Sequence, residues 1–251
     1  MAGHPPWLPA PENSASRLEI PFVTAPILCY VTDRKLLAPA EGGTNTAILE
    51  TIRKAIAAGV DWVQIREKDM AAGELLTLAQ EAVRAGDGER VPRAQKKIMV
   101  NDRLDVAIAA SASGVHLGRE SAPVREVVRW CRKGNAPREF MVGVSCHSVT
   151  EARDAESAGA SYVIFGPIFD TPSKRAFGEP VGIAQLALAC AALKIPVLAI
   201  GGIDVRNARE CLRAGAAGIA AIRMFQDAQD ADKLKRTIES LRGDPGIGSK
   251  R

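Results

Sequence analysis

Apolar runs of four to eight residues alternate with longer amphipathic stretches from Pro26 to the C-terminal region. The runs predict strands at 26–33, 62–67, 97–102, 114–118, 140–147, 162–169, 196–202 and 218–225. The amphipathic stretches predict helices at 44–59, 73–86, 103–112, 122–134, 150–159, 182–193, 204–215 and 227–243. In the first helix Ile48, Ile52 and Ile56 recur every four residues, Thr46 offers a cap and Gly59 a stop. The strands are apolar throughout instead of alternating, as expected where both faces of a sheet are covered. Eight sequential β–α pairs in about 220 residues predict a single-domain (β/α)8 TIM barrel. A doubly wound open sheet is the alternative, but no G-x-G-x-x-G follows the first strand. The phrases "AIAAGVDWV", "ASASGVHL", "AESAGASYV" and "CLRAGAAGI" each end a helix in Gly and enter the next strand. That is good helix-to-strand turn chemistry, and it suits a barrel of similar units.

Composition adjusts this picture little. The chain has 251 residues, 47% apolar, 25% charged and 4% aromatic, which allows a sizeable core and favours a parallel α/β protein. A net charge of +4 is too small to argue for nucleic acid but allows a small anionic ligand. Five widely spaced cysteines with no C-x-x-C point to buried thiols in a reducing, cytoplasmic setting. No run of 18 apolar residues predicts a membrane span. Residues 1–24 lack the basic and apolar regions of a secretory signal; their Pro and Ser content reads as a poorly ordered or surface-draped extension. The barrel is expected over 25–243, followed by a tail at 244–251. The oligomeric state stays open, a homo-oligomer included.

A barrel of this kind carries its chemistry at the C-terminal ends of its strands. Those ends hold Thr32, Asp33 and Arg34; Gln64, Arg66 and Lys68; Asn101 and Asp102; Arg119, Glu120 and Ser121; Ser145 and His147; Thr171, Ser173 and Lys174; Gly201 and Gly202; and Arg223. Gln64, Arg66 and Lys68 stand two apart, so an extended strand would aim all three one way. Inward-facing cations in a low-dielectric mouth need an anion, either a carboxylate across the barrel or an anionic substrate. The Gly201–Gly202 pair and the strand-eight loop suit a phosphate site. The loop "DTPSKRAFGEPVG" reads as a lid with hydroxyl and lysine contacts to phosphate, or as a solvated surface loop. Asp102 would hold Mg²⁺ through oxygen or cap the following helix.

"YVTD", "VQIREK", "VNDRLDVA", "GVHLG", "GVSCHS", "FGPIFDTPSK", "AIGGI" and "GIAAIRMF" occur in this order and together resemble the thiamine-phosphate synthase family, which includes thiazole tautomerases. The resemblance implies a Mg²⁺-dependent (β/α)8 transferase of thiamine biosynthesis. It joins a hydroxymethylpyrimidine diphosphate to a thiazole phosphate, and pyrophosphate leaves from a cationic pyrimidine. Carried over by position, Gln64, Ile65, Arg66, Glu67 and Lys68 would line the pyrimidine diphosphate, with Asn101 and Lys174 also holding it. Ser145 would sit near the pyrimidine. Thr171, Pro172, Ser173, Gly202, Ile222 and Arg223 would surround the thiazole phosphate. Arg66, Ser145 and Lys174 form the implied catalytic set, and Asp102 the metal ligand. The family's fourth-strand phrase ends H-L-G-Q-x-D, the Asp being a second Mg²⁺ ligand. Here Arg119 and Ser121 stand at its Gln and Asp positions, leaving Glu120 or Ser121 as the substitute ligand. Two other functions stay open: a thiazole tautomerase with His147 as acid/base, and a non-catalytic binder of phosphorylated ligands.

Overall fold

The computed structural model describes residues 25–37, 43–87, 96–170, 179–227 and 230–243. Strands β1 (Ile27–Val31), β2 (Trp62–Ile65), β3 (Lys97–Asn101), β4 (Gly114–Leu117), β5 (Met141–Cys146), β6 (Tyr162–Phe165), β7 (Val197–Ile200) and β8 (Gly218–Ala221) form a closed barrel in sequence order. All neighbours are parallel, and β8 returns to pair with β1. Helices α1 (Thr44–Ala58), α2 (Ala72–Gly86), α3 (Leu104–Ala109), α4 (Val124–Trp130), α5 (Val149–Ser157), α6 (Gly182–Ala192) and α7 (Ala208–Arg213) follow strands one to seven. The pair α8 (Arg223–Gln226) and α9 (Ala231–Arg242) follows β8. The expected (β/α)8 architecture is the one observed. The expectations for 1–24, for 244–251 and for the loop at 171–178 lie outside the described residues.

Two layers of burial explain the continuous apolar runs. Cys29, Val31, Trp62, Met99, Tyr162, Ile164, Leu198 and Ala220 point inward and fill the barrel. Their neighbours Leu28, Tyr30, Val63, Ile65, Val163 and Ile219 point outward against the helices. Most strand residues are therefore buried on one side or the other, with partly exposed positions at strand ends and at Ser145, as in covered parallel sheets. Gly143 is set by this interior: a Cβ there would lie closer than 3.0 Å to the Tyr162 ring.

Four local expectations are corrected. Strand two stops at Ile65, not Glu67, because the Arg66 N–H turns to the Thr32 Oγ1 at 2.9 Å. Strand eight stops at Ala221, and Arg223–Gln226 is a helical turn. That turn buries Phe225 edge-on against Tyr30, ring centroids 6.3 Å apart. It also lets Gln226 accept from the Tyr30 hydroxyl (2.8 Å) and donate to the Asp33 carbonyl (2.8 Å). Helix α1 starts at Thr44 behind Gly43, so Thr46 is inside the helix and not its cap. The seventh and last helices begin at Ala208 and Ala231, several residues later than their periodicity suggests. Gly59 does end α1.

Candidate active site

The mouth of the barrel is built from inward positions one layer above the apolar filling. Gln64 on β2 donates its amide to Asn101 Oδ1 on β3 at 2.9 Å. Asn101 Nδ2 donates in turn to Asp102 Oδ2 at 2.6 Å. Asp102 has a left-handed backbone, φ 62°, which lifts its carboxylate off the strand line toward the β4 loop. There Asp102 Oδ1 accepts from Ser121 Oγ and from the Gly118 N–H at 3.2 Å. Ser121, not Glu120, is the partner of Asp102 in the β4 loop; Glu120 is exposed. Gln64 is 3% exposed, and its Oε1 is a buried acceptor with no hydrogen-bond partner among the described residues. A buried amide oxygen so placed is unsatisfied until a donor enters the mouth.

The "QIREK" residues separate in the structure. Gln64 is inside and Arg66 is on the rim, half-buried, with no ion-pair partner among the described residues. Of the two anions the sequence offered for it, a carboxylate across the barrel is not found among those residues. Lys68 falls in the turn beyond the strand and is exposed, because β2 has already ended. Ile65 and Glu67 point away from the mouth. Ile65 is packed in the helix-facing layer. Glu67 is 5% exposed; it accepts from Thr32 Oγ1 (2.6 Å) and pairs with Arg34 (3.1 Å). Their side chains thus face away from the mouth. Glu67 instead braces the ends of β1 and β2, and through Thr32 it holds the Arg66 backbone.

On the opposite side, Gly201 and Gly202 follow β7 with φ 100° and 63°. A Cβ on Gly202 would stand 2.6 Å from the Asp170 carbonyl oxygen and 2.8 Å from Phe169 Cβ, so only glycine allows this approach of the β6 loop. Ile222 and the exposed Arg223 stand at the start of the turn after β8. The expectations for Thr171, Pro172, Ser173 and Lys174 fall outside the described residues. Ser148 caps α5 by accepting from the Glu151 N–H at 3.1 Å. The Glu151 carboxylate reaches back to the His147 N–H at 2.7 Å, and the His147 Nδ1 lies against the Gly166 carbonyl.

Sequence reasoning missed one member of the mouth. His116, in the apolar phrase "GVHLG", is 1% exposed and lies inward on β4. Its Nε2 is 2.9 Å from Ser145 Oγ and its Nδ1 is 3.2 Å from the Tyr162 hydroxyl. The available signal was parity: a lone polar residue two positions before the strand end of an otherwise apolar run. Burial holds its pKa down at about 4, against the pull of the Asp102 carboxylate and with help from the Arg66 guanidinium. Below about pH 6.5 the unfolded chain takes up a proton here that the folded chain refuses. Stability therefore rises with pH between about 4 and 6.5 and is level above. Urea unfolding at pH 4.5 and pH 7 should show this: the loss on acidification is expected to be smaller by about 2 kcal/mol in His116→Gln than in the parent. Equal losses would mean that His116 ionises in the folded protein.

All five cysteines are free. Burial pushes the thiols of Cys29, Cys146 and Cys211 up to about 12, so none of these three supplies a thiolate nucleophile near neutrality. Among the described residues no cluster of three or more His, Cys, Asp or Glu could hold a metal by itself. No helix among them is long and apolar enough to cross a membrane.

Comparison with known proteins agrees with this geometry. Residues 28–225 match the family model described as thiamine monophosphate synthase. The thiamine-phosphate synthase of Moorella thermoacetica is 40% identical over 206 residues, covering 80% of this chain and 92% of that protein. The thiamine-phosphate synthase of Roseiflexus sp. (strain RS-1) is 36% identical over 232 residues, covering 92% of each. The solved thiamine phosphate pyrophosphorylase of Pyrococcus furiosus superposes with a TM-score of 0.71 at 30% identity, covering 86% of this chain and 96% of that one. The match runs through every strand of the barrel and every described element of its mouth, and the chain belongs to the thiamine monophosphate synthase family.

Proposed function

We propose that this chain couples hydroxymethylpyrimidine diphosphate with thiazole phosphate, forming thiamine phosphate and pyrophosphate. The observation that carries the reading, beside the family match, is the two-sided mouth. On one side stand a rim cation, Arg66, without an ion-pair partner among the described residues, and Gln64, whose Oε1 is unsatisfied among them. On the other stand the glycine turn at Gly201–Gly202 and Arg223. The two sides suit two phosphorylated ligands held face to face. In the reaction the bond from the pyrimidine methylene carbon to the diphosphate oxygen breaks, and its electron pair leaves with pyrophosphate. The thiazole nitrogen's lone pair forms the new carbon–nitrogen bond. Arg66 would counter charge growing on the leaving diphosphate. Gln64, Asn101 and Ser145 would hold the pyrimidine, and the barrel wall would exclude water from its cationic stage. Lys174 and the 171–173 segment belong to the same reading through the family resemblance.

Mg²⁺ is part of the proposal. The donor set suits a hard, oxygen-seeking cation, which binds through one or two carboxylates with phosphate and water completing the shell. Asp102 would supply the carboxylate and Ser121, hydrogen-bonded to it, a neutral oxygen. When bound, the cation would neutralise diphosphate charge. We place this chemistry in the cytoplasm, in line with five free thiols.

The test is direct: incubation with both phosphorylated precursors and Mg²⁺ should yield thiamine phosphate. No product at any Mg²⁺ concentration would sink the proposal. In Asp102→Ala the Mg²⁺ concentration for half-maximal rate should rise by about tenfold or more; an unchanged Mg²⁺ profile would remove Asp102 as ligand.

A further inference from the structure

Three inward positions on consecutive strands form a polar column beneath Ser145. The barrel register sets His116 opposite Gly143, and Gly143 opposite Tyr162. Gly143 thus lies between the two side chains in one row. Having no side chain, it lets the Tyr162 ring lie across β5, where a Cβ would collide with the phenol. The hydroxyl reaches His116 Nδ1 at 3.2 Å, and His116 Nε2 reaches Ser145 Oγ at 2.9 Å.

The direction of this chain follows from its closed end. Tyr162 is 1% exposed, packs edge-on against Trp62 at 4.9 Å between centroids, and has no other hydrogen-bond partner among the described residues. A buried phenol O–H needs an acceptor, and His116 Nδ1 is the one within reach among the described residues. An imidazole that accepts at Nδ1 and is neutral carries its proton on Nε2. Nε2–H must then donate to Ser145 Oγ. Ser145 is partly exposed to the mouth and has no second partner among the described residues. Its own O–H is left for whatever lies above it.

We infer that Tyr162 and His116 are positioning residues that orient Ser145 as a hydrogen-bond donor to the bound pyrimidine substrate, which must present a lone-pair acceptor at that point. The chain rules out His116 as a base that withdraws the Ser145 proton, since the nitrogen facing Ser145 is already protonated. The assignment of the ligand as the pyrimidine rests on the function proposed above; the direction of the chain does not.

Two measurements test the inference separately. In ¹⁵N-histidine-labelled protein without ligands at pH 7, His116 should show a bare Nδ1 and a protonated Nε2. A protonated Nδ1 would overturn the inference, and this readout is independent of any activity. In coupling assays Ser145→Ala and Tyr162→Phe should each lower kcat/KM by about tenfold, the effect of one lost hydrogen bond. The double variant should be no worse than Ser145→Ala alone, because Tyr162 acts only through Ser145. Losses that multiply to about a hundredfold would mean that Tyr162 acts otherwise, and would overturn it too. His116→Gln, whose amide N–H can still donate to Ser145, should retain more activity than His116→Phe; equal losses would count against the chain. If the parent protein couples nothing, the proposed function fails, while the tautomer measurement still decides the inference.

Discussion

Replacing Arg66 with Ala is expected to lower kcat/KM for coupling by about 10²–10³-fold, the effect of removing one preorganised charge-stabilising group from an active site. Arg66 sits on the rim beside Gln64 with its guanidinium unpaired among the described residues, so no structural ion pair consumes it. Its backbone is held by the Thr32 hydroxyl, itself tied to the buried Glu67. The backbone that carries the side chain is thus fixed before any ligand arrives, and the guanidinium is left to order on the diphosphate. Arg66→Lys should recover only part of the loss, because an ammonium cannot offer a planar two-point contact to a diphosphate. Folding stability should stay within about 0.5 kcal/mol of the parent, as for a side chain at the surface of the mouth. Steady-state kinetics against the pyrimidine diphosphate check this: a loss below tenfold would place Arg66 away from the departing group.

Gly143→Ala should destabilise the barrel by about 3 kcal/mol, the upper range for overpacking a filled interior. For a domain of this size that lowers Tm by about 10 °C. The added methyl would occupy the space of the Tyr162 ring. That ring is itself confined by Trp62 on one side and His116 on the other. Neither the ring nor β5, which is bonded to β4 and β6, has room to retreat. Shrinking the ring in Gly143→Ala/Tyr162→Leu should return most of the stability without returning the hydrogen bond to His116. Thermal unfolding of the three proteins tests this. A single variant that melts within about 2 °C of the parent would show that the interior yields more easily than close packing allows.

Much of this molecule was written in local pattern. The period of apolar residues determined eight strands and their helices, since covered parallel strands must be apolar on both faces. Counting along those strands brought Gln64, Asn101 and Ser145 to the mouth, because side chains alternate with a period of two. The family motifs, read in order, then pointed to two phosphorylated ligands. What local pattern could not decide was where strands stop. Strand two ends because Arg66 meets a hydroxyl 34 residues earlier. Strand eight ends where Gln226 meets Tyr30, 196 residues away. That is why Glu67 became a brace, Lys68 a turn residue and Arg223 part of a helix.

The same holds for the site's chemistry. Arg119 and Ser121 were visible as departures at the metal loop, but only the fold set Ser121 against Asp102 and left Glu120 in solvent. His116 looked like one letter in an apolar strand until the barrel closed around it. Composition and periodicity report which faces are buried, and burial is a local property of a strand. Which buried groups meet across the barrel depends on register between strands far apart in the chain. Thus the sequence alone determined the barrel and part of the ring of residues at its mouth, Gln64, Asn101 and Ser145 among them. The tertiary structure alone decided that a glycine on β5 opens the way from Tyr162 to His116, and so which way Ser145 can donate.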